Sequence, residues 1–562
     1  MSSRRRSVTN AGPARPGVGI SAAVVALISA GAALRIWQYL ANSSLWVDEA
    51  ALARNIADRS PGELLQPLDY AQVAPAGFLL VEKAFVSLLG DSEMALRLFP
   101  LLCGLAALPI FWRLASRVLA GWWGVYALGL FALATPLVYF SSQVKQYSSD
   151  VAATVVVLAA AVWLRSGSGA DLLSRARRAA IAGAAVAWVS QPVAFVLAGS
   201  GATLAWCAWR ERRPVALRAS LLVCAAWAAS SGLAAALAVR NVSPADRAYL
   251  DWYWSNGLMP FPPASFADAL WVWDRLTWLF GAFVTGLRRT NGGLGYPWSQ
   301  VFVGLTMVGY FAMWRVRRDV ALILLMPVVG VILAAAFQLY PLSGRVVTFL
   351  IPVLLIPVAA GAGFVIDTLP ARVQLLAPVV LAIAIGSPIY ATLLALPPER
   401  TEHLRPVMEA VSRHRLPGDA VYVYYGAGQA FLYYAPRFGL TPRDYVLGRC
   451  SVTDQRAYLR DLDAFRGRSR LWLVSTHARL AADEFRTMVG YLDSIGRRVQ
   501  AFEQQATSRV ASQAAYGLLY DLSDAGRLAS ATADTYPVPP VPVDPAFARW
   551  GCYGTQAASA GL

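Results

Sequence analysis

Charge is scarce in this chain, and lysine is scarcer still. Only 15% of the 562 residues are charged and 57% are hydrophobic, whereas a soluble domain carries roughly 25% charge. A purely soluble enzyme is excluded. The 49 basic residues include just two lysines, Lys83 and Lys145, which makes both worth following. Groupings for a metal ribbon or a disulfide framework are also missing. The five cysteines, Cys103, Cys207, Cys224, Cys450 and Cys552, show no paired spacing, and three of them lie inside apolar runs. His403, His414 and His477 are the only histidines and match no helical metal motif, so solvated or capping roles are expected rather than zinc ligation.

What the chain does have is long apolar runs. They recur from residue 18 to residue 395, each of about 20 residues and so able to cross ~30 Å of hydrocarbon as a helix. The expected fold is a polytopic α-helical membrane protein of about eleven transmembrane helices. The spans are expected near 18–40, 94–115, 122–140, 151–164, 180–190, 193–209, 219–239, 301–314, 320–339, 346–365 and 373–396. The first follows Arg4–Arg6 and Arg15 and is longer than a signal-peptide core of about 7–15 residues, so it is expected to be retained. Arg113, Arg117, Arg175–Arg178, Arg210–Arg213 and Arg315–Arg318 fall on one side of these spans, with Arg288-Arg289 the main exception. Such an excess marks the cytoplasmic face and puts the N-terminus inside. The net charge of +16 is therefore an orientation signal, not a nucleic-acid patch.

Two long loops are expected on the outer side. Residues 45–93 mix apolar and polar positions, as helices lying along the interface do. Residues 240–298 include Tyr249, Trp252, Tyr253, Trp254, Phe261, Trp271 and Trp278, which suit headgroup anchoring, stacking on a sugar or covering a lipid. After Pro397 the composition turns mixed. Ala420–Tyr425 and Arg470–Ser475 read as strands, and Ala427–Phe438 and Asp483–Ile495 as helices. The chain thus divides into a membrane domain (1–396), an extracytoplasmic α/β domain (397–533) and a Pro-rich tail (534–562) expected to be an extended wrap or a disordered end.

Three polar groups stand near the outer face. Asp48 and Glu49 lie just beyond the first span, where a charge is costly unless it is solvated, paired or used. They are a functional pair or an ordinary anionic helix end. Lys145 and Tyr147 sit in the compact stretch Tyr139–Asp150, as phosphate ligands or as a snorkelling turn. Arg345, at the start of the tenth span, offers a rigid fork of donors suited to phosphate, or simply ends a helix at the headgroups. Two carboxylates and two cations on one face suit glycosyl transfer from a lipid phosphate. The cations would hold the departing phosphate, and a carboxylate would take a proton from the acceptor hydroxyl.

With these residues in place, the chain resembles the GT-C membrane glycosyltransferases, specifically the family of protein O-mannosyltransferases and lipid A aminoarabinose transferases. The likeness runs over residues 18–395. It rests on Asp48-Glu49, Pro75-Ala-Gly77-Phe, Leu89-Gly-Asp-Ser-Glu93-Met-Ala-Leu-Arg97, the Tyr139–Asp150 loop and Tyr340-Pro-Leu-Ser-Gly-Arg345. It implies a bacterial inner-membrane enzyme working on the outer face with a polyprenyl-phosphate sugar. The acceptor would be a lipid, glycan or protein hydroxyl, and the anomeric centre would invert. Asp48 would be the base, with Glu49 supporting it or orienting the acceptor. Lys145, Arg345 and Tyr147 would bind the donor phosphate. Ala74 stands where aminoarabinose transferases commonly carry a lysine, which leaves Lys83 as a further candidate. The acidic pair could bridge Mg²⁺ or Mn²⁺ to phosphate, but with two cations available no cofactor is required. Two other classes stay open. A lipid or polysaccharide transporter needs polar groups at mid-membrane, and a non-catalytic envelope scaffold would tolerate loss of both carboxylates.

Overall fold

The computed structural model describes residues 17–167, 171–283, 295–370, 398–477, 484–507, 513–539 and 544–553. The expected eleventh span and Arg288-Arg289 lie outside them. The membrane part is a helical bundle: α1 (Val18–Leu40), α2 (Val47–Asp58), α3 (Ala76–Leu89), α4 (Glu93–Val118), α5 (Trp122–Leu133), α6 (Thr135–Phe140), α7 (Tyr147–Arg165), α8 (Asp171–Val186), α9 (Val193–Arg210), α10 (Pro214–Arg240), α11 (Pro244–Tyr253), α12 (Phe266–Ala269), α13 (Trp271–Phe283), α14 (Gly295–Val316), α15 (Arg318–Ala336) and α16 (Ile351–Thr368). Among the described residues seven stretches are long and apolar enough to cross a membrane, namely α1, α4, α7, α9, α10, α15 and the run Gly344–Thr368 that ends in α16. This is the polytopic helical fold expected.

Packing in the bundle relies on small residues. Helices α14 and α16 approach so closely that a Cβ on Gly309 would overlap the Pro357 carbonyl, and one on Gly361 the Leu305 carbonyl. Backbones meet this way where no solvent drives association and dispersion must do so. The third span departs from expectation. It breaks at Ala134, ahead of Pro136 in the first turn of α6, because proline cannot donate to the preceding turn. The Ala132 carbonyl released there accepts from buried Arg35 of α1 at 3.0 Å. The basic stretch expected as a loop before the fifth span is helical from Asp171, and α11–α13 order the aromatic loop.

The C-terminal domain carries a five-stranded mixed sheet, β1 (Ala420–Val423), β2 (Val446–Leu447), β3 (Leu471–Ser475), β4 (Arg497–Gln504) and β5 (Ala515–Asp521), in the order β2-β1-β3-β5-β4. β1 pairs in parallel with β2 and β3, and β5 runs antiparallel to β3 and β4. Helices α17 (Leu404–His414), α18 (Gly428–Tyr434), α19 (Gln455–Asp463) and α20 (Glu484–Ile495) complete it. Both expected strands and both expected helices are present, each slightly shorter. Leu45, Leu52, Ile56 and Phe78 of the first loop share one buried cluster with Val407, Phe431, Trp472 and Leu519 of this domain, so the two parts have a common core. Polar ties reinforce it. Gln38 exchanges hydrogen bonds of 2.8 and 3.0 Å with the Glu399 backbone, and Arg405 pairs with Glu93 at 2.6 Å.

The cysteines correct an expectation. Cys450 and Cys552 form a disulfide, their Cα atoms 5.6 Å apart across 102 residues. Spacing could not reveal it, because the two cysteines stand 102 positions apart. Residues 544–553 are not extended: Pro545–Trp550 is a short helix, with Trp550 and Tyr553 packed on Tyr249 of α11 and the Tyr553 hydroxyl donating to Asp246 at 3.0 Å. The histidines are also less peripheral than expected. His403 is buried and accepts from the Ser44 amide at 3.0 Å through Nδ1. Burial and nearby arginines push it down to about 4.

Candidate active site

Helix α2 opens the site. Its first turn holds Asp48 and Glu49, where carboxylates meet the positive end of the helix dipole. No side chain of the first loop caps it. The Val47 amide instead donates to Glu402 Oε2 at 3.1 Å, so the segment entering the C-terminal domain fixes the start of α2. Glu402 Oε1 lies 2.5 Å from His477 Nδ1.

The adjacent carboxylates diverge. Asp48 forms an ion pair with Arg345 and keeps 26% of its side-chain surface open, Arg345 keeping 22%. Glu49 is closed off. It takes Arg97 Nε and Nη2 at 3.0 and 2.7 Å and the Val144 amide at 2.7 Å, and neither it nor Arg97 is more than 2% exposed. Through Val144, Glu49 pins the 141–146 turn that carries Lys145. The Gln143 side chain in that turn accepts from Trp46 Nε1 at 2.8 Å.

Arg345 lies in an aromatic box, its guanidinium carbon 5.1 Å from the Trp46 ring, 5.9 Å from Tyr147 and 6.0 Å from Trp254. A planar cation is oriented well by such faces. Gly344 lets the chain reach this position, because its φ is +62° and a Cβ would meet the Trp254 ring. Lys145 is buried and donates to Gln72 Oε1 at 2.6 Å. Burial brings its ammonium down to about 8, with Asp48 opposing, Arg345 reinforcing and Glu49 opposing. Burial alone would raise the Asp48 carboxyl, but Arg345, Lys145 and His477 outweigh it and hold the group below its usual range. Asp48 is thus a carboxylate at neutral pH, facing two cations.

Of the six residues singled out by sequence, Asp48, Lys145, Tyr147 and Arg345 come together. Glu49 stands directly behind them. Lys83 does not join, because its ammonium caps the far end of α2 by donating to the Ile56 and Ala57 carbonyls at 2.9 and 3.0 Å. Sequence reasoning gave no role to Trp46, placed Trp254 only among the loop aromatics suited to headgroups, a sugar or a lipid, and met Arg97 only as the end of the first-loop block. For Glu402 the only sequence signal is the run Glu402-His-Leu-Arg405, which could join the last span to the C-terminal part and face the site. Among the described residues no group of three or more His, Cys, Asp or Glu is arranged to hold a metal. The donor set does not fit an ion bridged by the pair either, since Glu49 is buried with both oxygens taken by Arg97 and one also by the Val144 amide, which leaves Asp48 a lone carboxylate.

No protein-family model matches the chain. No curated protein matches it either. Solved structures to which it is similar include the following. One is the Archaeoglobus fulgidus oligosaccharyltransferase in complex with Zn and sulfate, 12% identical, covering 84% of this chain and 71% of that one, with a TM-score of 0.49. Another is ArnT from Cupriavidus metallidurans bound to undecaprenyl phosphate, 13% identical over 90% of this chain and 98% of that one, with a TM-score of 0.43. The third is the same ArnT in the apo state, 14% identical over 88% and 98%, also with a TM-score of 0.43.

Proposed function

We propose that this chain is a glycosyltransferase that moves a sugar from a polyprenyl phosphate to an acceptor hydroxyl at the outer face of a bacterial inner membrane. The observation that carries the reading is the partly open Asp48–Arg345 ion pair beside buried Lys145. Donor phosphate would take Arg345 and Lys145, drawing Arg345 off Asp48 and freeing the carboxylate. Asp48 then accepts the acceptor hydroxyl's proton as that oxygen bonds to the anomeric carbon. The bond from that carbon to the phosphate oxygen breaks, its electron pair leaves with the polyprenyl phosphate, and the centre inverts. Arg345 and Lys145 stabilise the anion that departs. Tyr147, with Trp46 and Trp254, keeps the Arg345 fork aimed at it. The Cys450–Cys552 disulfide supports an extracytoplasmic placement of the C-terminal domain, since such bonds persist in oxidising compartments.

The test compares membranes carrying Asp48→Asn with wild type, measuring sugar release from a polyprenyl-phosphate-linked donor. Loss of a general base costs about 10²–10⁴-fold, and a drop of that order is expected with donor binding kept. Unchanged turnover in the variant would remove Asp48 from the base role. A scaffold would instead show no glycan change on loss of both carboxylates.

A further inference from the structure

At the opposite end of the bundle from Asp48, the ends of α4, α7, α9 and α14 and the start of α15 surround a cavity of about 870 Å³. Six arginines and two carboxylates line it. The carboxylates are already used. Glu211 pairs with Arg165 and, at 3.7 Å, with Arg213, while Asp319 pairs with Arg165 at 3.2 Å and Arg317 at 3.7 Å. Among the described residues Arg117, Arg210, Arg315 and Arg318 have no carboxylate partner, so the cavity keeps an excess of positive charge.

Three of these four are pre-oriented. Arg210 lies over Trp206 with its guanidinium carbon 5.2 Å from the ring, Arg315 over Phe311 at 5.7 Å and Arg318 over Trp314 at 5.7 Å. For Arg210 on α9 and Arg315 on α14 the ring stands one helical turn earlier on the same helix, and Arg318 at the start of α15 lies over Trp314 across the break at Arg317, so each guanidinium is held over a ring face instead of sweeping through solvent. The rings stay open to the surroundings, with Trp206 39%, Phe311 54% and Trp314 42% exposed. A water-facing anion site has no need of open tryptophans, whereas aromatic rings at a membrane interface sit at headgroup level. Basic pockets between membrane helices suit phosphate headgroups.

We propose that this cavity binds an anionic phospholipid, its phosphate held by Arg210, Arg315 and Arg318 and its acyl chains lying along the exposed rings of α9 and α14. The site is separate from the Asp48 centre and does not depend on the reaction assigned there.

Native mass spectrometry of the purified full-length protein tests this with phosphatidylglycerol, phosphatidylcholine and inorganic phosphate as probes. Phosphatidylglycerol should be retained over phosphatidylcholine, and Arg315→Gln with Arg318→Gln should weaken it about thirtyfold, the attraction lost with two basic residues. Inorganic phosphate should not displace it. Equal retention of the two lipids, or an unchanged preference in the double variant, would overturn the assignment. Displacement by inorganic phosphate would mark a site for a soluble anion and overturn the lipid assignment too. Should the double variant fail to run as a single species on gel filtration, Arg210→Gln alone gives the same reading through a smaller loss.

Discussion

Arg97 reaches Glu49 across 48 positions and grips both of its oxygens, at 2.7 and 3.0 Å, with neither side chain more than 2% exposed. Glu49 thereby supports the turn that carries Lys145, while its neighbour Asp48 stays partly open beside Arg345. Adjacent carboxylates have been given different work by the two arginines they meet.

Breaking that buried pair should be expensive. Removing one partner of a buried ion pair leaves an uncompensated charge and costs about 3–5 kcal/mol. Glu49→Ala and Arg97→Ala should each lower the apparent Tm of the detergent-solubilised protein, and the double variant should fall short of their sum. A Glu49→Ala protein with unchanged Tm and lost activity would instead put Glu49 at the reacting atoms.

Arg345→Lys tests the aromatic box. Lysine keeps the charge but loses the planar fork and its fit between Trp46, Tyr147 and Trp254. The KM for the polyprenyl donor should rise about tenfold or more, equivalent to roughly 1.4 kcal/mol, with less change in kcat. An unaltered KM would show that the fork is not what holds the phosphate.

Lys145 sets an expectation for pH. Its ammonium is brought down to about 8, mainly by burial, and only the protonated form attracts phosphate. Donor kcat/KM should therefore fall as pH rises through about 8. Lys145→Arg should move that alkaline limb upward, because arginine stays charged. Asp48 is held below the usual carboxylate range, so activity should persist on the acid side to below the ordinary aspartate value of about 3.9, as far as the protein stays folded. A limb that stays near 8 in Lys145→Arg would assign it to another group.

Cys450→Ser should release the tail. Removing a disulfide costs typically about 2–4 kcal/mol, and residues 544–553 would lose their tether beside Tyr249. Limited proteolysis should cut there in the variant and in reduced wild type, but not in the oxidised protein. Equal cutting in all three would show that ring contacts alone hold the tail.

Most of the helical bundle was readable because an apolar run long enough to cross a membrane has few other places to go. The break at Ala134 needed the three-dimensional partner, Arg35, that makes a free carbonyl tolerable. In the site, Asp48, Lys145 and Arg345 could be picked out because charge is rare here and each stands at the mouth of a span. Their assembly could not, since it depends on contacts 95 to 297 residues apart, from Val144 to Glu49 and from Arg345 to Asp48. Lys83 looked equally rare, yet its ammonium serves two helix-end carbonyls, a use that composition cannot separate from ligand binding. Strands β2, β4 and β5 were missed; β2 has only two residues, and β4 alternates weakly and is largely exposed.

The cluster that joins Leu45, Ile56 and Phe78 to Phe431, Trp472 and Leu519 decides how this protein can be taken apart. A fragment cut at the last span would bare half of an oily seam on each piece, and neither would be a faithful miniature of the whole. Chimaeras that exchange the C-terminal portion between related chains would have to carry the α2–α3 segment along with it, because α2, the helix that begins with Asp48 and Glu49, and the footing of that portion share one buried cluster.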